Sequence, residues 1–298
     1  MPTDSAPARP GPGPLVARAA PATRARMGVV AAGLLACLTA LLVGLIPARA
    51  AAVAGGEPAA PADWPFVAAI LGSDGEEFCG GTLIRARWVL TAAHCVVDDD
   101  RGRVLAPGEL RVGTGSADLR LVRVGAVREV VPFPHYVSLP DGGAVHDVAL
   151  VRLARPAVAP LGRLARSPAA GGQPPTAWLA GWGALDPAER RYPFQLRAGE
   201  MTVAPLARCR AEEGIAGVLC ASERGSEEAS ACAGDSGGPL VDRREPVPVV
   251  IGVMSYGDRS CGRGLRSVFT DVAQHRRWID RVVRSRSATA SPASAASR

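Results

Sequence analysis

Ala233-Gly234-Asp235-Ser236-Gly237-Gly238-Pro239-Leu240 is the stretch on which the reading of this chain turns. A serine hydroxyl is a weak nucleophile at neutral pH. To attack anything it needs a base beside it and hydrogen-bond donors in front of it. The glycines around Ser236 let the backbone bend tightly and turn its N–H groups outward, as a developing oxyanion requires. Taken alone, the segment reads equally as a Gly/Asp/Ser turn between two strands, so the rest of the chain must decide.

A base stands far upstream, in Trp88-Val89-Leu90-Thr91-Ala92-Ala93-His94-Cys95, where an apolar strand-like run ends in small residues and then a histidine. Of the other three histidines, His135 in a proline-bearing loop and His275 in a charged helical segment read as solvated or capping residues. An acid must hold the imidazole in one tautomer. Asp147 opens Asp147-Val148-Ala149-Leu150-Val151-Arg152-Leu153, a strand signal that would bury it, and a buried carboxylate needs a partner such as His94. His146, its neighbour on that strand, is expected to face away.

Together the blocks Thr91-Ala92-Ala93-His94-Cys95, Asp147-Val148-Ala149-Leu150 and Gly234-Asp235-Ser236-Gly237-Gly238-Pro239 resemble those of the chymotrypsin/trypsin family of serine endopeptidases, in that family's His, Asp, Ser order. The roles of the three residues are carried over from that family. The resemblance runs from about Val53 to Val283. It implies an all-β fold of two six-stranded antiparallel barrels, at about 65–160 and 173–270, followed by a terminal helix over 272–283. It also implies backbone oxyanion donors at Gly234 and Ser236. Asp235 would pair with a new terminal amine at Val53, the first residue of Val53-Ala54-Gly55-Gly56. Ser230 falls where the family places the base of its specificity pocket. Ser255, Tyr256 and Gly257 fall on the opposite wall, and Ser267 where many relatives have Gly. An uncharged Ser230 cannot repay the desolvation of a buried Arg or Lys, so small to medium apolar residues are expected before the scissile bond. Arg259, Arg263 and Arg266 leave an acidic preference open.

The chain has seven cysteines, and Cys37 lies inside the apolar run Gly28–Ile46, leaving six in the body. Six cysteines allow fifteen pairings in an oxidising compartment. The family resemblance selects Cys79–Cys95, Cys209–Cys220 and Cys232–Cys261. The apolar run follows Arg24 and Arg26 and ends in Ala48-Arg49-Ala50, the plan of a secretory leader over residues 1–50 with a long n-region, unless Met27 is the start. The run is also long enough to remain as a membrane anchor. Ala51-Ala52 would then be a residual dipeptide. Because Ala52 and not Arg precedes Val53, signal cleavage itself is expected to expose Val53 or leave only that dipeptide to trim.

The net charge of +6 falls to +2 from Val53 onward, because residues 1–52 hold five Arg and one Asp. A nearly neutral body gives no support to nucleic-acid binding. Every basic side chain is Arg, and with no Asn the chain carries no N-glycosylation sequon. Roughly 230 residues of body are enough for a substantial core, filled by Val, Leu and Ala since aromatics are few. Alternating runs such as Phe66–Leu71, Gly81–Ile84, Val122–Val131 and Val249–Ser255 carry the β signal. Residues 285–298 read as a disordered tail. Asp98-Asp99-Asp100 reads as a solvated loop, so no metal or cofactor is expected. The expected protein is a secreted, monomeric endopeptidase acting on polypeptides, with protease inhibitors as further partners and the membrane involved only if the leader is kept. The rival is a catalytically silent binding protein on the same fold.

Overall fold

The computed structural model describes residues 53, 56–166, 172–185, 192–222, 230–257, 261 and 266–288. The leader, Arg259, Arg263 and the end of the expected tail lie outside these residues.

The first barrel is built from β1 (Val67–Gly72), β2 (Glu77–Arg85), β3 (Trp88–Thr91), β4 (Leu110–Thr114), β5 (Arg123–Pro132) and β6 (Ala149–Leu153). It closes in the order β6-β3-β2-β1-β4-β5, with every ladder antiparallel. The second is built from β7 (Thr176–Gly181), β8 (Arg197–Val203), β9 (Val218–Ser222), β10 (Pro239–Asp242), β11 (Val249–Gly257) and β12 (Arg266–Asp271). Pairing of β8 with β9, Val203 opposite Ala221, closes it. Helix α1 (Leu206–Glu213) ends at Gly214, whose φ of 67° suits a left-handed cap that only glycine adopts cheaply. Helix α2 (Val272–Ala288) ends the described chain. The two closed barrels and the terminal helix are those that the family resemblance implies.

Closure changes what a strand looks like in sequence. All of β6 is buried, including Arg152, whose guanidinium lies 5.6 Å from the centre of the Trp88 ring. A strand covered on both faces loses its alternation. Asp147 therefore does not begin a strand. It sits two residues before β6, with His146 ahead of it at a φ of 54°. His146 does face away from His94, but through this left-handed turn and not through strand alternation. Five strands, β4, β8, β9, β10 and β12, stand outside the sequence-level runs.

The core is aliphatic, with Trp88, Trp182 and Phe269 as its largest fully buried rings. Val53 is fully buried in the cluster of Leu179, Met201, Leu240 and Phe269 inside the second barrel. Helix α2 runs five residues past the expected 283, and its last turns carry Ser285 and Ser287 hydroxyls donating to the carbonyls of Val282 and Val283. Three disulfides, Cys79–Cys95, Cys209–Cys220 and Cys232–Cys261, match the pairing drawn from the resemblance.

Candidate active site

β3 delivers Thr91, and the turn after it carries fully buried Ala92 and Ala93 and then the partly exposed His94. There the His94 backbone N–H donates to Asp147 Oδ1 at 2.9 Å, and its ring Nδ1 lies 2.7 Å from Oδ2. The Asp147 side chain is fully buried while His94 keeps 30% of its side chain exposed. Burial pulls the imidazolium of His94 down, but the charge and hydrogen bond of Asp147 outweigh it, and the net pKa lies above the usual histidine value. For Asp147 burial pushes up, and the charge and hydrogen bond of His94, with the Ser255 hydroxyl, hold the carboxyl below its ordinary range. The sign is that of an imidazole poised to accept a proton and stabilised once it has done so.

Ser255 plays a part the sequence did not show. Its Oγ donates to Asp147 Oδ2 at 2.6 Å, so the pocket-wall residue also fixes the acid. The Thr270 hydroxyl donates to the Asp147 carbonyl at 2.8 Å. With these two bonds β11 and β12 of the second barrel hold an acid that the first barrel's chain supplies.

Ser236 lies on the turn between Cys232 and β10. The turn is pinned by Asp235 N–H to Cys232 O at 3.0 Å, Gly238 N–H to Asp235 O at 2.9 Å, and Gly80 N–H to Ser236 O at 2.7 Å. Glycine is forced at Gly237, whose φ is 78° and where a Cβ would fall 2.5 Å from the Gly80 carbonyl oxygen. The N–H groups of Gly234 and Ser236 make no hydrogen bond among the described residues, leaving both free to serve an oxyanion. His94, Asp147, Ser236, Ser255, Tyr256 and Gly257 line one cavity of about 500 Å³, open on one side. No hydrogen bond joins Ser236 Oγ to His94 Nε2, a contact that commonly tightens only with substrate bound. Tyr136, Ser138, Gly142, Gly143 and Ala144 also line the cavity, none of them singled out in the sequence.

Ser230 and Ser267 are each 2% exposed and do not line this cavity; Ser267 sits directly across the β11–β12 ladder from Gly257. Arg266 is spent on Glu212 and Glu213. The Tyr256 hydroxyl donates to Glu213 at 2.8 Å. Among the described residues, the one group with metal-ligand geometry is Cys79, His94 and Cys95, and its two sulfurs are joined as a disulfide and offer no thiolate. Asp98 is paired with Arg101 and Asp99 accepts from Tyr136, which occupies the acidic loop.

Asp235 is fully buried. Its oxygens accept from Gly183 N–H and Cys232 N–H, each at 2.9 Å, and burial outweighs these two bonds to push the carboxyl up to about 7. Gly181 and Gly183 face it so closely that a Cβ at either would fall within 2.3 Å of its carboxylate oxygens.

Two closed barrels, with an acid–imidazole pair and a serine of a glycine-rich turn on one cavity, define a chymotrypsin-like architecture with the equipment of a serine hydrolase. Comparison with known proteins narrows this. A family model described as Trypsin matches residues 53–279. Coagulation factor XII of Sus scrofa is 35% identical over 254 residues, which cover 76% of this chain but only 39% of that protein. The solved structure of neuropsin, a serine protease expressed in the limbic system of mouse brain, aligns with a TM-score of 0.64 and 26% identity over 76% of this chain and 98% of that one. The chain belongs to the trypsin family.

Proposed function

We propose that this chain is a secreted endopeptidase that cleaves polypeptides through an acyl-enzyme. His94 Nε2 takes the proton of Ser236 as Oγ bonds to the scissile carbonyl carbon, and the oxyanion forms against the N–H groups of Gly234 and Ser236. The C–N bond then breaks, and the same proton passes from His94 to the leaving amine. Water repeats the sequence in reverse roles and frees the acid product. Asp147 keeps His94 in the Nδ1–H tautomer throughout. The observation that carries this reading is the two-point grip of Asp147 on His94, backbone and ring together, on the cavity that Ser236 also lines. A silent binding protein would have no use for that grip.

In the same reading Ser255, Tyr256 and Gly257, which line the open cavity, form the wall of the primary pocket, Ser230 and Ser267 serve as its buried base, and the absence of an acid at Ser230 favours apolar side chains over Arg or Lys. Asp235 waits for the amine of Val53, released by removal of residues 1–52. Protein inhibitors that mimic extended substrate would fit the same cleft. The deciding experiment is hydrolysis of a peptide library varied at the residue before the cut. Ser236→Ala is expected to lose about 10³-fold or more of kcat while still binding substrate. An equally active Ser236→Ala protein would overturn the mechanism, and strong preference for Arg or Lys would overturn the pocket.

A further inference from the structure

Behind Asp147, on the side away from His94, two imidazoles meet. His146 Nδ1 lies 2.9 Å from His275 Nε2, and His275 Nδ1 lies 2.8 Å from the Asp271 carbonyl oxygen. A carbonyl only accepts, so His275 Nδ1 carries its proton, and in the neutral ring Nε2 is then a bare acceptor. His146 must therefore hold its proton on Nδ1 and donate it. One backbone oxygen thus fixes both tautomers. His275 is 3% exposed, and Phe133 packs edge-on against it with ring centres 5.0 Å apart, Trp278 flanking Phe133 at 5.2 Å.

The pair sits where it can set the geometry of the acid. His146 has a φ of 54°, a left-handed conformation that few residues other than glycine adopt without an anchor. Val148 N–H donates to the His146 carbonyl at 2.8 Å, closing a three-residue turn with Asp147 at its centre. The ring bond from His146 to α2 is the side-chain anchor that holds this turn.

We propose that His146 and His275 are positioning residues for the triad, an imidazole pair that holds Asp147 against His94 and lets it go when both rings are protonated. The proposal rests on the triad reading above. A first proton on the pair leaves the bond in place, since whichever ring is charged donates to the bare nitrogen of the other; with both rings charged N–H faces N–H and the bond is lost. The charged and titratable groups around the pair are His135 from the loop after β5, Asp147 itself, and Asp271 at the end of β12. Burial first, and then neighbouring histidine charge, hold both rings below the usual histidine value, so the pair is neutral where His94 is active.

The test is the acid limb of kcat/KM on purified wild-type protein, His275→Phe and His275→Gln, with unfolding midpoints measured alongside. In the wild type, activity is expected to fall with a slope of one below the pKa of His94 and then steepen to two as the pair takes up its second proton. His275→Phe fills the aromatic box without an acceptor and is expected to lose roughly 10–100-fold in kcat with KM little changed. His275→Gln offers a carbonyl oxygen to His146 and cannot titrate, so it should recover most of the rate and keep a slope of one throughout. If His275→Phe does not fold, the slope of His275→Gln carries the test alone. An acid limb of slope two in the glutamine variant, or a wild-type slope of one down to the pH of unfolding, overturns the proposal. Ser236→Ala in the same series separates the two readings: if it stays active the triad has failed, and if it is dead while the His275 variants match wild type only the pair has.

Discussion

Glu77 is the side chain whose surroundings least suit its chemistry. It is partly buried on β2, its Oε1 has no hydrogen-bond partner, and burial followed by the nearby charge of Asp235 pushes its carboxyl up to about 8. A carboxyl raised in the fold binds its proton more tightly there than in the unfolded chain, so its contribution to stability is complete below about pH 4.5 and is lost as pH rises toward 8. Glu77→Gln keeps the shape and removes the titration. Its stability advantage over wild type is expected to widen by roughly 2–4 kcal/mol between pH 5 and pH 8, read from urea midpoints at each pH. Parallel curves for the two proteins would show that Glu77 is solvated after all. What was legible at this scale was the chemistry that needs particular residue types in a particular order: His94, Asp147 and Ser236, with the glycines that bend the serine turn. Ser255 and His275 were not legible, because each acts through a partner 108 or 129 positions away. His275 looked like one more polar residue of a charged helix, and only the fold shows that it is buried against a second histidine.

Helix α2 shows both sides of the same point one level up. Its large apolar residues past Val272 are Trp278, Ile279, Val282 and Val283. The buried positions are Val272, His275, Ile279 and Val283, three or four apart as a helix face demands, with Trp278 and Val282 on its flank. Ile279 is 1% exposed within the core cluster that also contains the first-barrel residues. Ile279→Ala is expected to cost about 2–5 kcal/mol, seen as a lower urea midpoint with an unchanged slope. Because the helix also carries His275, the variant should lose activity in step with stability; full stability at this position would mean that the helix is not docked. Strands were harder to read than the helix. β1 and β6 are buried on both faces, so the period-two pattern that marks a strand is absent from them and length and punctuation are the only signals. β12, read as part of no run, is completed only by its ladders to β9 and β11.

At the scale of the whole molecule the open question is what turns the site on, and the second barrel frames it in charge. Asp235 is fully buried on the Ser236 turn with two backbone N–H partners and, among the described residues, no cation. A carboxylate in that position costs several kcal/mol unless a positive charge joins it. Val53 is already fully buried in the second barrel's core, its carbonyl accepting from Gly56 N–H. An amine created at Val53 would therefore arrive with its side chain already seated. The pKa of Asp235 is shifted in opposite directions in the two forms. While residue 52 is attached, Asp235 holds its carboxyl near 7, so this form loses stability as pH rises from about 4 toward 7. Once the ammonium is free, the carboxylate is the favoured form and its pKa falls below the ordinary value, so across the same interval its contribution is complete and flat, and it is lost only as the amine deprotonates above about pH 8. Two proteins differing only in whether they start at Val53 or at Ala52 should thus diverge in unfolding temperature as pH is raised from 5 to 7, the Val53 form above. The Val53 form should also be at least about 100-fold more active, since only it can fix Asp235 and with it the donors of Gly234 and Ser236. If the two are equally active and melt together across that range, Asp235 is not the receiver of the terminal amine. Its raised pKa would then belong to a buried acid that stays protonated in the working enzyme.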